Sequence, residues 1–485
     1  MKKVRRNAVL NVAGNVIPMM AAVAAMPMLL NGLGASRMGI FTLALGLFGF
    51  AGIFDLGLGR ALTRTIAYYT QLGVAAARIA PLLRKGLFAV LIMGLAWATA
   101  LAMGADWLLA HVFSLSGPLH DETRRGLMIL TALVPIALLS TSLQGALEGL
   151  QQFGRSNIIR APVGVATFLL PALVAQVYPS LVAVIASLAI VRFCGMVALL
   201  FAVVGQIPLL AKTGPEPLSM ATMWRYTGWL SISNIVGPLM VYGDRYYLAS
   251  ILPPAAVSYY TVPLDTLFRA TALPGSALGA AFPALTDAQS EPGNARRFLD
   301  DAGALLFFAW FVPISLLAVL LPDALSLWLG EAHAQQMLGT SRLILTGVLV
   351  NGYALVPFTL LQAIGRTDIT AKLHVIELPL FAIALVALVS VHGVEGAAAA
   401  WGLRVGFDAA CLFYVAQRLF PNLSRSFGRL GLFAGGGAAL VLVSGVLPTP
   451  MLRLGAGLII LALAGLEFQR RGGVRWFMAL TGARQ

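Results

Sequence analysis

Long apolar runs alternate with short polar clusters along the whole chain. Broken at its charged or Pro/Gly-rich clusters, the sequence leaves fourteen apolar stretches, near 8–31, 38–58, 86–112, 126–148, 158–178, 181–206, 226–252, 256–285, 300–321, 341–363, 372–391, 395–417, 431–447 and 454–469. Most approach or exceed the roughly 20 residues a helix needs to cross the hydrocarbon of a bilayer. In lipid a spanning segment must satisfy its own backbone groups, and these runs are too long and too uniformly apolar for barrel strands. The pattern therefore predicts an all-α polytopic membrane protein of about 14 transmembrane helices.

Composition agrees and narrows the class. Of the 485 residues 59% are hydrophobic and only 11% charged, with a mean hydropathy of +0.86, whereas soluble domains carry about 25% charged residues. Too little polar surface remains for a soluble enzyme, a nucleic-acid-binding module or a disordered chain. Cys194 and Cys411 each lie inside an apolar run, which argues against both a disulfide framework and a thiolate metal site. The basic start, Lys2, Lys3, Arg5 and Arg6, precedes an apolar stretch that runs past residue 25 without a small-residue cleavage site. It reads as a retained first span and not as a signal peptide.

The net charge of +14 would suggest nucleic acid in a soluble protein. Here its placement matters more. With a cytoplasmic N-terminus, 24 of the 33 Lys and Arg fall on the cytoplasmic side, five (Arg37, Arg124, Arg125, Arg342, Arg453) on the other, and four (Arg192, Arg245, Arg269, Arg404) inside spans. That is the asymmetry the positive-inside rule requires, and it places both termini in the cytoplasm. Topology alone accounts for most of the charge.

A shift of 219 residues aligns Asn15 with Asn234 and Gly39-Ile-Phe-Thr42 with Ser258-Tyr-Tyr-Thr261 without a gap. Six spans separate the copies, so the repeats share an orientation and are related by an axis along the membrane normal. The expected organisation is an N-lobe over 1–210 (spans 1 to 6), a C-lobe over 211–425 (spans 7 to 12), and two further spans with a tail over 426–485. Prolines within spans, among them Pro18, Pro27, Pro135, Pro162, Pro171, Pro238, Pro263, Pro274 and Pro283, bend helices that flex around a cavity or simply reflect the tolerance of membrane helices for proline.

Ionisable groups at membrane depth usually line a cavity or pair with one another. Spans 7 and 8 form a hairpin turning near Pro253-Pro254, so Asp244 and Arg245 lie level with Asp265, and Arg269 one turn deeper. Two readings are open: Arg245 and Arg269 hold an anion, guanidinium being suited to bidentate phosphate contacts, or the four charges form internal ion pairs that lock the hairpin. Arg404 and Asp408 form a further i, i+4 pair. Arg192 has no acidic neighbour in its own helix and is a candidate cavity charge, or approaches a carbonyl or Glu377. At the end of span 2, Asp55-Leu-Gly-Leu-Gly-Arg60-Ala-Leu-Thr-Arg64 superficially resembles the loop motif of major-facilitator transporters, but lacks the basic residue after the acid and has different glycine spacing. Arg60 and Arg64 are expected at the lipid headgroups, Asp55 at a helix break, with a structural hinge as the alternative. His111, His120, His333, His374 and His392 are scattered with no metal-ligand spacing. No Asp-x-Asp pair, phosphate loop or nucleophile elbow occurs, so neither cofactor, metal nor enzymatic activity is expected.

Two blocks carry a family resemblance. The first is Ala35-Ser-Arg-Met-Gly-Ile-Phe-Thr42 leading to Asp55-Leu-Gly-Leu-Gly-Arg60-Ala-Leu-Thr63. The second runs from Asn234 through Val241-Tyr-Gly-Asp244-Arg245, Ser258-Tyr-Tyr-Thr-Val-Pro263 and Leu273-Pro-Gly275 to Phe282-Pro-Ala284. In these the chain resembles the polysaccharide-export branch of the multidrug/oligosaccharidyl-lipid/polysaccharide exporter superfamily. The resemblance implies two six-helix lobes, a cavity contributed largely by spans 1, 2, 7 and 8, and alternating access in a bacterial inner membrane. The implied cargo is a polyprenyl-pyrophosphate-linked glycan for O-antigen, capsule or exopolysaccharide, moved to the outer leaflet. Membrane lipids, and a polysaccharide polymerase with chain-length proteins, are the expected partners. In that reading Arg245 and Arg269, with Arg192 or Arg404, neutralise the pyrophosphate, while Asp244, Asp265, Asp408 or Asp55 couple an ion or balance charge. A multidrug or major-facilitator-type exporter and a non-transporting scaffold are the competing functions.

Overall fold

The computed structural model of the chain describes residues 2–49, 58–111, 113, 115, 117–208, 239–275, 278, 292–446 and 449–470. The described residues are almost wholly helical, with no strand among them. The first helices are α1 (Lys2–Gly49), α2 (Leu58–Gln71), α3 (Ala76–Met103), α4 (Ala105–His111), α5 (Pro118–Gly149), α6 (Phe153–Val177) and α7 (Leu181–Val204). After α8 (239–251) come α9 (Pro254–Arg269) and α10 (Pro292–Leu306), then a π-helical turn (Phe307–Phe311) leading into α11 (Val312–Val319). The remainder is α12 (Leu321–Leu329), α13 (Glu331–Ala363), α14 (Thr367–Leu419), α15 (Ser424–Val443) and α16 (Pro450–Arg470).

Ten helices among the described residues are long and apolar enough to cross a membrane. Two of them are double. Helix α1 breaks at Gly34 (φ 74°) and α14 at Gly393 (φ 55°), the joints expected between spans 1 and 2 and between spans 11 and 12. Positive φ at both points suits a residue without a Cβ. Beyond Gly393 the chain turns back so tightly that a Cβ on Gly396 would collide with the Leu388 carbonyl. Expected spans 7 and 8 are described only over 239–252 and 254–275, so the count of fourteen rests partly on residues outside those described.

By packing, the chain divides into two compact units, Met1–Thr261 and Val262–Gln485. In the first, small residues let helices touch backbone to backbone, as membrane helices commonly do. A Cβ on Gly32 would strike Ala175, one on Gly164 would strike Pro18, and one on Gly94 would strike Pro135. The Gln176 amide also donates to the Met28 carbonyl at 2.7 Å, so α6 lies along the first half of α1. In the second unit Gly347 receives Trp401 and Gly352 receives Trp310, whose indole donates to the Leu349 carbonyl at 3.1 Å.

Helix α2 lies between expected spans 2 and 3, in a stretch for which hydropathy gave no span. Leu58, Ala61, Leu62 and Ile66 are buried on one face, while Arg64 and Tyr68 are exposed on the other. This i, i+3, i+4, i+8 pattern is that of an amphipathic helix. Its buried face packs with Ile79, Leu83, Ala146 and Leu147. Hydropathy averaged over a span-length window misses such a helix, because its polar face cancels its apolar one.

Two positions aligned by the 219-residue shift lie in contact. The Thr42 and Thr261 hydroxyls, equivalent positions of the repeat, hydrogen-bond each other at 2.9 Å, and both side chains are fully buried.

Candidate functional site

The hairpin of α8 and α9 closes through Leu252 and Pro253, where the Ala256 amide donates to the Pro253 carbonyl at 2.9 Å. Nine residues before Pro253 stands Asp244, 1% exposed, followed by Arg245, 4% exposed. Charges this deep need partners, since an isolated buried ion is far costlier than any net hydrogen bond returns. Asp244 has them: the fully buried Tyr260 hydroxyl donates to its Oδ2 at 2.5 Å, and the Arg245 backbone amide to its Oδ1 at 2.8 Å. Arg245 places its guanidinium 5.0 Å from the centre of the Tyr242 ring, a cation–π distance. One turn on, the Tyr246 hydroxyl donates to the Leu43 carbonyl at 3.0 Å. Span 2 comes this close because it presents Gly39 and Gly46: a Cβ on Gly39 would collide with the Pro254 carbonyl, and one on Gly46 would sit 3.2 Å from the Tyr246 hydroxyl.

The result is a buried acid–base pair set among three tyrosines and two threonines, where spans 2, 7 and 8 meet. Sequence reasoning named the charges but not Tyr260, whose role appears only once α9 folds back on α8. Replacing Tyr260 by Phe removes a hydrogen bond to a charged group, worth about 1.5–3 kcal/mol. Tyr260→Phe should therefore lower the melting temperature of the purified protein without blocking its insertion; an unchanged melting temperature would show the contact to be energetically idle.

The other named residues are distributed as follows. Asp265 and Arg269 lie four residues apart on α9, both half-buried, in the second unit. Arg192 is half-buried on α7 and Arg64 exposed on α2. The Arg60 side chain and the whole of Asp55 lie outside the described residues, as do Asn234 and Phe282-Pro-Ala284 of the second family block.

Arg404 and Asp408 stand in a second polar cluster wholly within the second unit. They line a cavity of about 200 Å³ with Asn351, His374 and Glu377, and the Arg404 guanidinium sits 5.4 Å from the centre of the Phe381 ring. Ligand atoms of His374, Glu377 and Asp408 lie within 4.8 Å of one another. The expectation that no histidine has metal-ligand company is thus revised for His374. Its spacing to Glu377 was visible, but Asp408 comes from the other arm of α14.

The basic residues expected on the non-cytoplasmic side are largely held by acids. Arg37 meets Glu122 at 2.8 Å, Arg124 meets Asp106 at 2.7 Å and Arg453 meets Asp323 at 2.9 Å. The Arg124 hydrogen bond holds the exposed Asp106 carboxyl below the usual carboxylate range.

A family model described as "Polysaccharide biosynthesis protein" matches residues 4–289, more than half of the chain. The chain belongs to this family. It is also 28% identical, over 85% of its length and 98% of the relative's, to the Shigella flexneri protein named "Putative O-antigen transporter". Among solved structures it shares its fold with the lipid II flippase MurJ in an inward closed conformation, at a TM-score of 0.70 and 12% identity over 96% of this chain and 98% of that one. An inward-facing multidrug resistance transporter of the MATE family aligns at a TM-score of 0.68 and 14% identity, over 85% of this chain and 99% of that one. The protein is therefore a multi-pass membrane transporter of the polysaccharide biosynthesis family and not an enzyme.

Proposed function

We propose that the protein is a flippase that carries a polyprenyl-pyrophosphate-linked oligosaccharide from the cytoplasmic to the outer leaflet of a bacterial inner membrane by alternating access. Both termini are cytoplasmic in this reading, and the cargo serves O-antigen, capsule or exopolysaccharide synthesis. Family membership and the O-antigen name of the relative support the substrate class. The single observation that carries the mechanism is Arg245, an ionised side chain buried beside a tyrosine-anchored aspartate on the hairpin of spans 7 and 8.

Arg245 and Arg269, with Arg192 or Arg404, neutralise the pyrophosphate as it leaves water. Arginine suits the task because its planar fork grips phosphate oxygens in pairs and stays charged at any cellular pH. Asp244, Asp265 and Asp408 balance charge or couple an ion, and the prenyl tail stays in lipid. No ATPase is needed, because a pyrophosphate moving outward descends an inside-negative potential, releasing up to about 2.3 kcal/mol per charge per 100 mV. A polymerase and chain-length proteins would receive the cargo on the outer side.

The test is a deletion strain supplied with the lipid-linked precursor pathway. Lipid-linked oligosaccharide should accumulate in the inner leaflet, and surface polysaccharide should fall to background. Intact surface glycans together with hypersensitivity to small cationic compounds would instead select a multidrug-type exporter. Loss of polysaccharide rescued by variants lacking every buried charge would select a scaffold.

A further inference from the structure

Helix α14 is a hairpin whose two arms are pinned at Gly393. Glu377 lies sixteen residues before that glycine and Asp408 fifteen after it, so the two carboxylates stand at one level on facing arms, far from the turn. His374 precedes Glu377 by three residues, on the same helix face. The three present one ligand atom each within 4.8 Å of one another, at the edge of the 200 Å³ cavity that Asn351 and Arg404 also line.

Two facts say that the cluster is built for an occupant. Glu377 is 2% exposed, yet its Oε1 has no hydrogen-bond partner. Leaving a buried carboxylate oxygen unsatisfied is among the most expensive features a core can hold. The Glu377 carboxyl group also lies in hydrogen-bonding contact with that of Asp408, and two carboxyl groups this close need a shared proton or a cation between them.

We propose that His374, Glu377 and Asp408 form a site for a divalent cation of the zinc class, which would tie the open end of the α14 hairpin as Gly393 ties the closed end. An imidazole nitrogen with two carboxylate oxygens is a donor set that suits zinc and its transition-metal neighbours, whereas magnesium and calcium take oxygen alone. Zinc bonds of about 2.0–2.2 Å require the three atoms to draw in by roughly 1 Å, a movement within reach of the Glu377 and His374 side-chain torsions. The cavity has room for water, at about 30 Å³ each, to complete the coordination shell. Nothing in this inference depends on the flippase reading, because binding is measured without transport.

The experiment uses the full chain, tag-free and in lipid nanodiscs, titrated with Co²⁺ as a spectroscopic stand-in and then with Zn²⁺. One Co²⁺ per chain should bind with visible ligand-field absorption, be displaced by equimolar Zn²⁺, and survive millimolar Na⁺ and Mg²⁺. Glu377→Gln keeps the side-chain shape and should weaken binding at least tenfold; His374→Gln, at a half-buried position, should do the same and shift the absorption bands by loss of the nitrogen ligand. Absence of stoichiometric Co²⁺ in the wild type, unchanged binding in a correctly melting His374→Gln variant, or displacement by Na⁺ at matching concentration would each overturn the assignment.

Discussion

Arg245→Ala is expected to abolish export of surface polysaccharide while the protein still inserts into the membrane. Arg245 is 4% exposed, so its removal both deletes a candidate phosphate fork and takes a cation from beside the buried Asp244, whose carboxylate accepts from the Tyr260 hydroxyl and the Arg245 backbone amide. Truncating one member of a buried charged pair typically costs about 2–5 kcal/mol, roughly a 30-fold loss or more when it falls on the transport step. Arg269→Ala, on a half-buried position four residues from Asp265, should give the same phenotype through the same phosphate. Arg245→Lys separates the two contributions: the charge is kept and the bidentate geometry lost, so partial export is expected. Surface glycan blots, read against protein abundance in the membrane and melting temperature, decide the matter. Full export in both alanine variants would remove the arginines from the mechanism.

Hydropathy made the fold legible because lipid imposes one rule on every span: apolar outside, hydrogen bonds inside. Its reach ended where helices left the hydrocarbon. Residues 126–148 read as a span, yet the helix runs Pro118–Gly149, and 341–363 extends back to Glu331; the polar first turns carry Asp121 and Glu331, acids that suit a helix N-terminus, and no hydropathy window can register that. Helix α2 was invisible for the related reason that its apolar and polar faces cancel on averaging. The charged residues of the site were conspicuous as charges in an apolar chain, whereas their partners were not. A tyrosine at 260 or a histidine at 374 is unremarkable until a turn at Pro253 or Gly393 brings a carboxylate from the facing helix. Two positions that the 219-residue shift aligns, Thr42 and Thr261, touch through their hydroxyls, a contact that no hydropathy window registers.

That register makes Gly39→Val the most damaging single change expected outside the charged pair. Gly39 stands one turn before Thr42, and a Cβ there would run into the Pro254 carbonyl and approach the Ser258 amide at 3.3 Å. Both are backbone atoms at the start of α9, so no rotamer change can relieve the overlap and helices must separate. Overpacking a dense interior costs about 1–3 kcal/mol when side chains can yield, and the upper end or beyond is expected here. Separation would also part Thr42 from Thr261 and Tyr246 from the Leu43 carbonyl, the contacts that hold span 2 against the Asp244–Arg245 hairpin. Gly39→Val should therefore lower the melting temperature and export together, with Gly39→Ala intermediate. Gly435→Ala and Gly436→Ala are the controls: a Cβ at either meets nothing within 4 Å, so both variants should melt and export as the parent does. Wild-type melting and export in Gly39→Val would mean that spans 2 and 8 do not need this closeness, and the Thr42–Thr261 contact would lose its structural importance.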